Sequence, residues 1–393
     1  MTPKDLYRQL VKRAREGLKD AKRRRGRKRA LKNFRERFVN ILGKYPVSRL
    51  ELQRRIREIR AYSISSIEDL LRKAVNQMRE NGIVVLMAED ANKARKVIVE
   101  VLRNAKTVVK SKTTTGKEIG LVKTLESSGV EVIETDLGDR IVQLSGEPAS
   151  HTVVPAIHLT KEEIAKLFRE KLGVEVEPDI NELVKVARIG IREAVLKADA
   201  GVTGANAVAA LEGLICLVEN EGNQRLVTSV PVKHVVVTGV DKVVPSAKEA
   251  TEVAVCTAMF GIGTISSSYI SFIQGPSSTA DIELETVKGM HGPREVYVVL
   301  VDNGRTKAVK EGFGEVLYCI NCGSCLNFCP VYDSIGERFG YVWLGGRGLV
   351  FTVFHAGPEK AAENGIFFCT ECGLCTEVCP ARINLPKLME RVR

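Results

Sequence analysis

Eight of the ten cysteines in this 393-residue chain fall near its C-terminal end, in two copies of one pattern. The first runs Cys319-Ile320-Asn321-Cys322-Gly323-Ser324-Cys325-Leu326-Asn327-Phe328-Cys329-Pro330. The second runs Cys369-Thr370-Glu371-Cys372-Gly373-Leu374-Cys375-Thr376-Glu377-Val378-Cys379-Pro380. Both read C-x2-C-x2-C-x3-C-P, the spacing of bacterial iron–sulfur ligands. One tight loop folds three thiolates onto three corners of a cubane, and the fourth corner needs a thiolate from elsewhere. In two-cluster proteins the fourth cysteine of each run serves the other cluster. Cys319, Cys322, Cys325 and Cys379 are therefore assigned to one [4Fe–4S] cluster, and Cys369, Cys372, Cys375 and Cys329 to a second. Pro330 and Pro380 are expected to turn the chain away just after the ligand. Zinc sites usually take two ligands from each of two CxxC units and do not require two matching quartets. Disulfides suit small secreted domains, whereas this chain is long and opens on a stretch, MTPKDLYRQL, without the apolar segment of a signal peptide.

The 39 residues between Cys329 and Cys369 exceed a minimal strand loop, and 331–338 and 359–364 have helical character. This C-terminal part resembles the α-helical ferredoxin module of respiratory dehydrogenase subunits.

Charge divides the chain. Residues 1–60 hold 22 Lys and Arg against 6 Asp and Glu, so the net charge of +11 belongs to this N-terminal region and the remainder is mildly acidic. The densest stretch, 22–29, matches the charge of nucleic-acid or anionic-membrane contacts. No nucleic-acid-binding motif accompanies it, and aromatics are sparse at 5%. The preferred reading is a solvated helical face that meets an acidic partner or aids solubility. No apolar run approaches the ~18 residues of a membrane span. A cytoplasmic location follows as the expectation, with membrane association only through partners.

From about residue 63 the pattern alternates between helices and strands, which predicts an α/β fold with a mainly parallel sheet. Helices are expected at 67–79, 90–103, 117–127, 161–171 and 181–198. Strands are expected at 83–87, 107–110, 130–134, 214–218, 234–238 and 296–301. Ser65 and Glu68 have capping-box spacing. Ligands of such sheets gather beyond the strands' carboxyl ends. The polar strand ends Lys110-Ser111-Lys112, 201–206, 220–223 and Asp241-Lys242 form a candidate pocket, although turns alone favour the same residue types. Gly261-Ile262-Gly263 lacks the third glycine of a dinucleotide loop. Cys216 and Cys256 lie in apolar runs and read as inert core thiols. The five histidines show no zinc spacing. Domains are placed at 1–60, 61–310 and 311–393.

Several motifs occur in the order found in the lactate-utilisation (LUD) domain: Lys110-Ser111-Lys112 to Lys117-Glu118-Ile119-Gly120, Glu134-Thr135-Asp136-Leu137-Gly138, Pro148-Ala149-Ser150-His151, Pro155-Ala156-Ile157-His158, Gly201-Val202-Thr203-Gly204-Ala205-Asn206, Asn220-Glu221-Gly222-Asn223, Val243-Val244-Pro245 and Asp302-Asn303-Gly304-Arg305. With the twin cysteine runs, residues 30–393 resemble the LutB-type iron–sulfur proteins of lactate utilisation. The pattern departs from that family at Ile335-Gly336-Glu337-Arg338 and Leu344-Gly345-Gly346-Arg347-Gly348.

The resemblance implies an α/β domain similar to the NagB/RpiA/CoA-transferase-like fold. It also implies two [4Fe–4S] clusters and work alongside a LutA-type cysteine-rich protein and a LutC-type LUD protein, or another dehydrogenase subunit, in oxidising L-lactate to pyruvate. In that setting Lys110, Lys112 and Lys242 would pair with a carboxylate. Thr203, Asn206, Glu221 and Asn223 would complete and orient the site. No flavin or nicotinamide motif is present, so the hydride acceptor is expected on another subunit and the chain is expected to be a non-flavin electron-transfer component. Two other readings stay open. One is an enzyme with CoA-transferase or isomerase chemistry that uses Glu221. The other is a redox-sensing nucleic-acid-binding protein that uses residues 12–29.

Overall fold

The computed structural model describes residues 2–393. Its strands, in chain order, are β1 (Val84–Ala88), β2 (Thr107–Lys110), β3 (Glu131–Glu134), β4 (Ala200–Thr203), β5 (Ala207–Ala209), β6 (Leu214–Glu219), β7 (Lys233–Gly239), β8 (Val243–Val244), β9 (Tyr269–Ile273), β10 (Ser278–Thr279), β11 (Val287–Lys288) and β12 (Glu295–Val301). Six of them form the main sheet, ordered β1-β12-β7-β4-β2-β3, with every pair parallel. Valine runs explain the centre. Val235, Val236 and Val237 of β7 and Val298 and Val299 of β12 are fully buried, as β-branched side chains are when helices cover both faces of a parallel sheet. The register from Val296↔His234 to Val301↔Gly239 ends the two strands level, so their polar followers emerge together.

Beside it lies a smaller sheet, β8-β5-β6-β9. Of its strands only β6 was expected. β5, β8 and β9 are short or partly polar; β5 pairs with its neighbour β6 in a hairpin, while β8 and β9 pair with strands distant in sequence. The helix expected over 117–127 is two helices, Thr114–Glu118 and Leu121–Ser127. Gly120 breaks it in the left-handed region (φ 68°), where glycine carries no Cβ penalty. The Ser65–Glu68 capping box is absent, because Ser65 is the last residue of a helix and Ser66 is the N-cap, without a side-chain cap bond. Pro330 opens a helix, Pro330–Ile335, instead of merely ending the cysteine run. At the first helical position its missing N–H leaves no bond unmade.

The N-terminal region is helical throughout: α1 (Pro3–Lys19), α2 (Ala21–Lys44), α3 (Arg49–Ser65) and α4 (Ile67–Glu80). The boundary expected at residue 60 falls inside α3. Nor do the N-terminal and cysteine-bearing regions have separate cores. One buried cluster runs from Leu31, Phe38 and Ile56 through Val208 and Met259 to Leu326, Val350 and Met389.

Four of the N-terminal arginines bond carbonyls of the cysteine-bearing module. Arg13 donates to the carbonyls of Arg338 (2.6 Å) and Gly340 (2.9 Å). Arg27, only 2% exposed, donates to those of Asp333 (3.0 Å) and Ser334 (3.0 Å). Arg35 reaches the Asn327 carbonyl at 2.7 Å, and Arg57 those of Ala381 and Arg382 at 3.0 and 2.9 Å. Gln53 bonds the carbonyls of Glu377 and Cys379 at 2.8 and 2.9 Å. The module's helices are short, and their last carbonyls lack intrahelical partners. A guanidinium supplies donors and matches the negative end of the helix dipole. Among the described residues no helix is long and apolar enough to cross a membrane.

Replacing Arg27 by Met strands two buried carbonyls. The unfolding free energy should fall by about 1.5–3 kcal/mol, the range for hydrogen bonds to a charged group. A denaturant titration of the variant beside the parent checks this; an unchanged midpoint would mean that the clamp adds nothing.

Candidate metal centre and adjoining cavity

The two cysteine runs fold alike. A 3-10 turn ends just before each first cysteine, at Tyr318 and Phe368. The second residue onward is left-handed in both, Asn321 (φ 60°) and Glu371 (φ 56°). Gly323 (φ 80°) and Gly373 (φ 77°) follow the second cysteines and open the short helices Ser324–Phe328 and Leu374–Glu377. These reversals aim three successive thiols to one side.

The fourth thiols cross over. Cys379 lies within electrostatic reach of Cys319, Cys322 and Cys325. Cys329 lies within reach of Cys369, Cys372 and Cys375. The quartets adjoin at Cys325 and Cys375. Burial, reinforced by neighbouring thiols, pushes Cys375 and Cys379 up to about 12 and Cys329 up to about 11. A metal centre would have to displace protons to bind them. Among the described residues no three His, Cys, Asp or Glu side chains close around a single-ion point. A cubane holds its thiolates on separate corners of a cage. Backbone N–H groups already point at the sulfurs, from Asn321 to Cys319 (3.4 Å) and from Tyr332 to Cys329 (3.5 Å), and such donors tune iron–sulfur clusters. The residues present thus fit two cubanes. Cys216 and Cys256 are buried outside the two runs, with thiols pushed up to about 12 by burial, although Cys256 lies within electrostatic reach of Cys322.

The first quartet faces the main sheet. Cys319, Cys322 and Cys325 share a cavity of about 340 Å³ with Lys112, Asp136, Asn206, Glu221, Asn223, Lys242 and Arg347. The strand-end residues arrive there from beyond the carboxyl ends of β2, β3, β4, β6 and β7. Two sequence-predicted residues lie elsewhere. Lys110 is fully buried, its ammonium held by Glu134 at 2.7 and 2.9 Å. It is the last residue of β2 and pairs with Glu134 across the parallel register. Thr203 is sealed in β4 against His234 (2.8 Å). Lys112, two residues past β2, reaches the cavity and pairs with Asp136 at 3.0 Å. Glu221 stands at the solvent-open mouth. Loss of hydration, then the like charge of Asp136, raises its carboxyl to about 7.

Between sheet and cysteines lies a buried ionic knot. Arg305, fully buried, binds Glu118 at 2.9 Å and Asp241 at 2.5 Å. Trp343 donates to Glu118 at 3.0 Å. Lys242 joins Asp241 (2.9 Å) to the carbonyl of Cys319 (3.0 Å). Burial alone would raise the Asp241 carboxyl; Lys242 and Arg305, with Arg347 and Arg60, outweigh it and hold it far below the usual range. Sequence reasoning missed Arg347. Its signal was a single arginine inside the otherwise apolar helix Gly345–His355.

Fold and site together define an α/β protein whose strand ends abut an iron–sulfur dicluster module. A family profile for the LUD domain matches residues 71–301, and one for the 4Fe-4S dicluster domain matches residues 315–383. The chain belongs to the LUD-domain family. It is 38% identical over 310 residues to Lactate utilization protein B of Macrococcus caseolyticus, covering 78% of this chain and 63% of that one. It is 37% identical over 310 residues to the protein of that name from Bacillus pumilus, covering 78% and 64%. To the Uncharacterized electron transport protein YkgF of Escherichia coli K12 it is 35% identical over 321 residues, covering 81% and 65%. The chain thus spans under two thirds of these relatives' length. A crystal structure of a DUF162 family protein from Deinococcus radiodurans matches at a TM-score of 0.33 and 15% identity, over 60% of this chain and 98% of that one, too weakly to bear on function.

The Glu221 shift has a sign. Its folded pKa lies above the ordinary 4.5, so the folded state keeps the proton longer. Glu221 costs no stability below about pH 4.5, and the cost grows as pH rises to about 7. Glu221→Gln should therefore gain stability over the parent across that window, by less than about 1 kcal/mol because the mouth is solvent-screened. Thermal midpoints of both proteins from pH 4 to 8 test this; parallel curves would mean an ordinary carboxyl.

Proposed function

We propose that this chain is the iron–sulfur electron-transfer component of a complex that oxidises L-lactate, or a related 2-hydroxy acid, to the 2-oxo acid. The observation that carries the reading is the crossover of Cys379 and Cys329 to the opposite trios. Cys319, Cys322, Cys325 and Cys379 would hold one [4Fe–4S] cluster, and Cys369, Cys372, Cys375 and Cys329 the other. Such clusters supply one-electron transfer when bound, and the adjoining quartets make a short relay. Backbone N–H groups of the cysteine loops set hydrogen bonding to the sulfurs. The cavity gives a small carboxylate two ammonium groups, Lys112 and Lys242, with Asn206 and Asn223 to orient it. Glu221, near neutrality in its proton affinity, would accept the hydroxyl proton of the 2-hydroxy acid while the C–H bond breaks and its hydride equivalent passes to a two-electron acceptor on a partner subunit. The partners are a LutA-type cysteine-rich protein and a LutC-type LUD protein, or another dehydrogenase subunit carrying the two-electron acceptor.

The raised Glu221 carboxyl also favours a second reading, in which the cavity runs CoA-transferase or isomerase chemistry with Glu221 as nucleophile or base. That activity would survive in a folded variant with all eight cluster cysteines changed to Ala; the relay would not.

Anaerobically purified protein should carry about eight irons and lose its visible absorption on adding dithionite. Cys379→Ala should lose about half the iron, and Cys216→Ala none. With partners present, L-lactate should bleach the same absorption. Iron-poor protein removes the cluster reading; iron-replete protein that no lactate isomer or glycolate reduces removes only the substrate.

A further inference from the structure

The two cysteine loops share a backbone and differ in surroundings. Around the first, Ile320, Cys322 and Ser324 are buried. In the second, Thr370, Glu371, Cys372 and Leu374 are exposed, Leu374 by 44%.

Charge sharpens the difference. Four buried cations flank the first loop, Arg60, Lys242, Arg305 and Arg347, against two buried carboxylates, Asp241 and Glu118. The carboxylates are claimed by Arg305 and Lys242. Arg60 and Arg347 have no carboxylate of their own. Arg60 gives its hydrogen bonds to the backbone carbonyls of Asp241 and of Leu317 (2.8 Å). Arg347 gives one, 3.3 Å long, to the carbonyl of Val316. Its Nη1 and Nη2 are buried without a partner, and the residue lines the cavity that holds Cys319, Cys322 and Cys325. A buried, uncompensated guanidinium is costly unless an anion meets it. The rings of Trp343 and Phe351, 4.4 and 4.9 Å from its centre, supply only part of that compensation. Around the second loop the arginines are paired at the surface. Arg393 bonds the Cys369 carbonyl (3.0 Å) and Glu371, and Arg382 bonds Glu377 (3.3 Å). Water screens such pairs.

A cubane ligated by four thiolates is an anion and gains one more negative charge when reduced; net charge, hydrogen bonds to sulfur and solvent exposure set its potential. We propose that Arg347 and Arg60 make the cluster of Cys319, Cys322, Cys325 and Cys379 the higher-potential member of the pair, so that the first electron entering the protein rests there. The inference builds on the two-cluster reading above. The other cluster, at the surface, is the one an outside carrier reaches first. Each step adds one electron, from a one-electron reductant or redox partner, to one cluster, with no bond made or broken.

The test is a potentiometric titration of the reconstituted full chain, followed by electron paramagnetic resonance. Two separate one-electron steps are expected. Arg347→Met should lower the higher step at least tenfold in the reduced-to-oxidised ratio, about 59 mV for one electron, and leave the lower step in place. Arg347→Lys, which keeps the charge, should restore most of the shift. Arg60→Met should lower the same step and serves if Arg347→Met fails to fold. Cys372→Ala, which removes a ligand of the exposed cluster, should retain the higher step with about four irons. A single unresolved step, a shift confined to the lower step, or loss of the higher step in Cys372→Ala overturns the proposal. Iron-poor parent protein would instead overturn the two-cluster reading beneath it.

Discussion

A loop of seven residues reaches three corners of a cubane, and the rest of this architecture answers the need for a fourth. Cys379 lies beside the first trio and Cys329 beside the second, so the two runs are held face to face although some 39 residues separate them. Short helices cannot do this alone. Their end carbonyls lack partners within the helices, and their apolar faces need a wall to pack against. The long N-terminal helices provide both what is missing: Leu31, Phe38 and Ile56 for the shared core, and Arg13, Arg27, Arg35, Gln53 and Arg57 for the carbonyls. Part of the basic region thus finds its electronegative counterpart within the same polypeptide.

The sheet meets the module through charge. Strands β7 and β12 end level, and their followers Asp241 and Arg305 bind each other beneath Cys319. Glu118 reaches the same point because Gly120 breaks its helix one turn early. Polar strand ends, usually read as ligand groups, are here divided between two tasks. Lys112, Asn206, Glu221 and Asn223 face the cavity, while Asp241, Arg305 and Glu118 fasten the cysteine module to the sheet.

How far the sequence reveals this follows from the range of each interaction. The cysteine spacing and the valine runs are local signals, so the quartets and the central strands were legible. Strands β5, β8 and β9 were not, because β5 and β8 are only three and two residues long and β9 has no buried face to mark its alternation. Lys110 and Lys112 look equivalent in sequence. One sits at the end of β2 facing Glu134 and the other beyond it facing Asp136, and only the register separates a structural ion pair from a cavity residue. Arg347 left only the signal of a lone arginine in an apolar run. Its neighbours are apolar, and its charge acquires meaning from groups brought in by β7 and β12.

The shared core also orders events during synthesis. Residues 3–65 leave the ribosome well before residues 315–383, yet neither segment has a separate hydrophobic interior to close on. Until the C-terminal portion emerges, Arg27 and Gln53 have no carbonyls to bind, and Phe38 has Phe260 but not Phe328 to pack on. The shared core therefore closes only after residues 315–383 have emerged, and the amphipathic helices exposed until then become natural clients for chaperones.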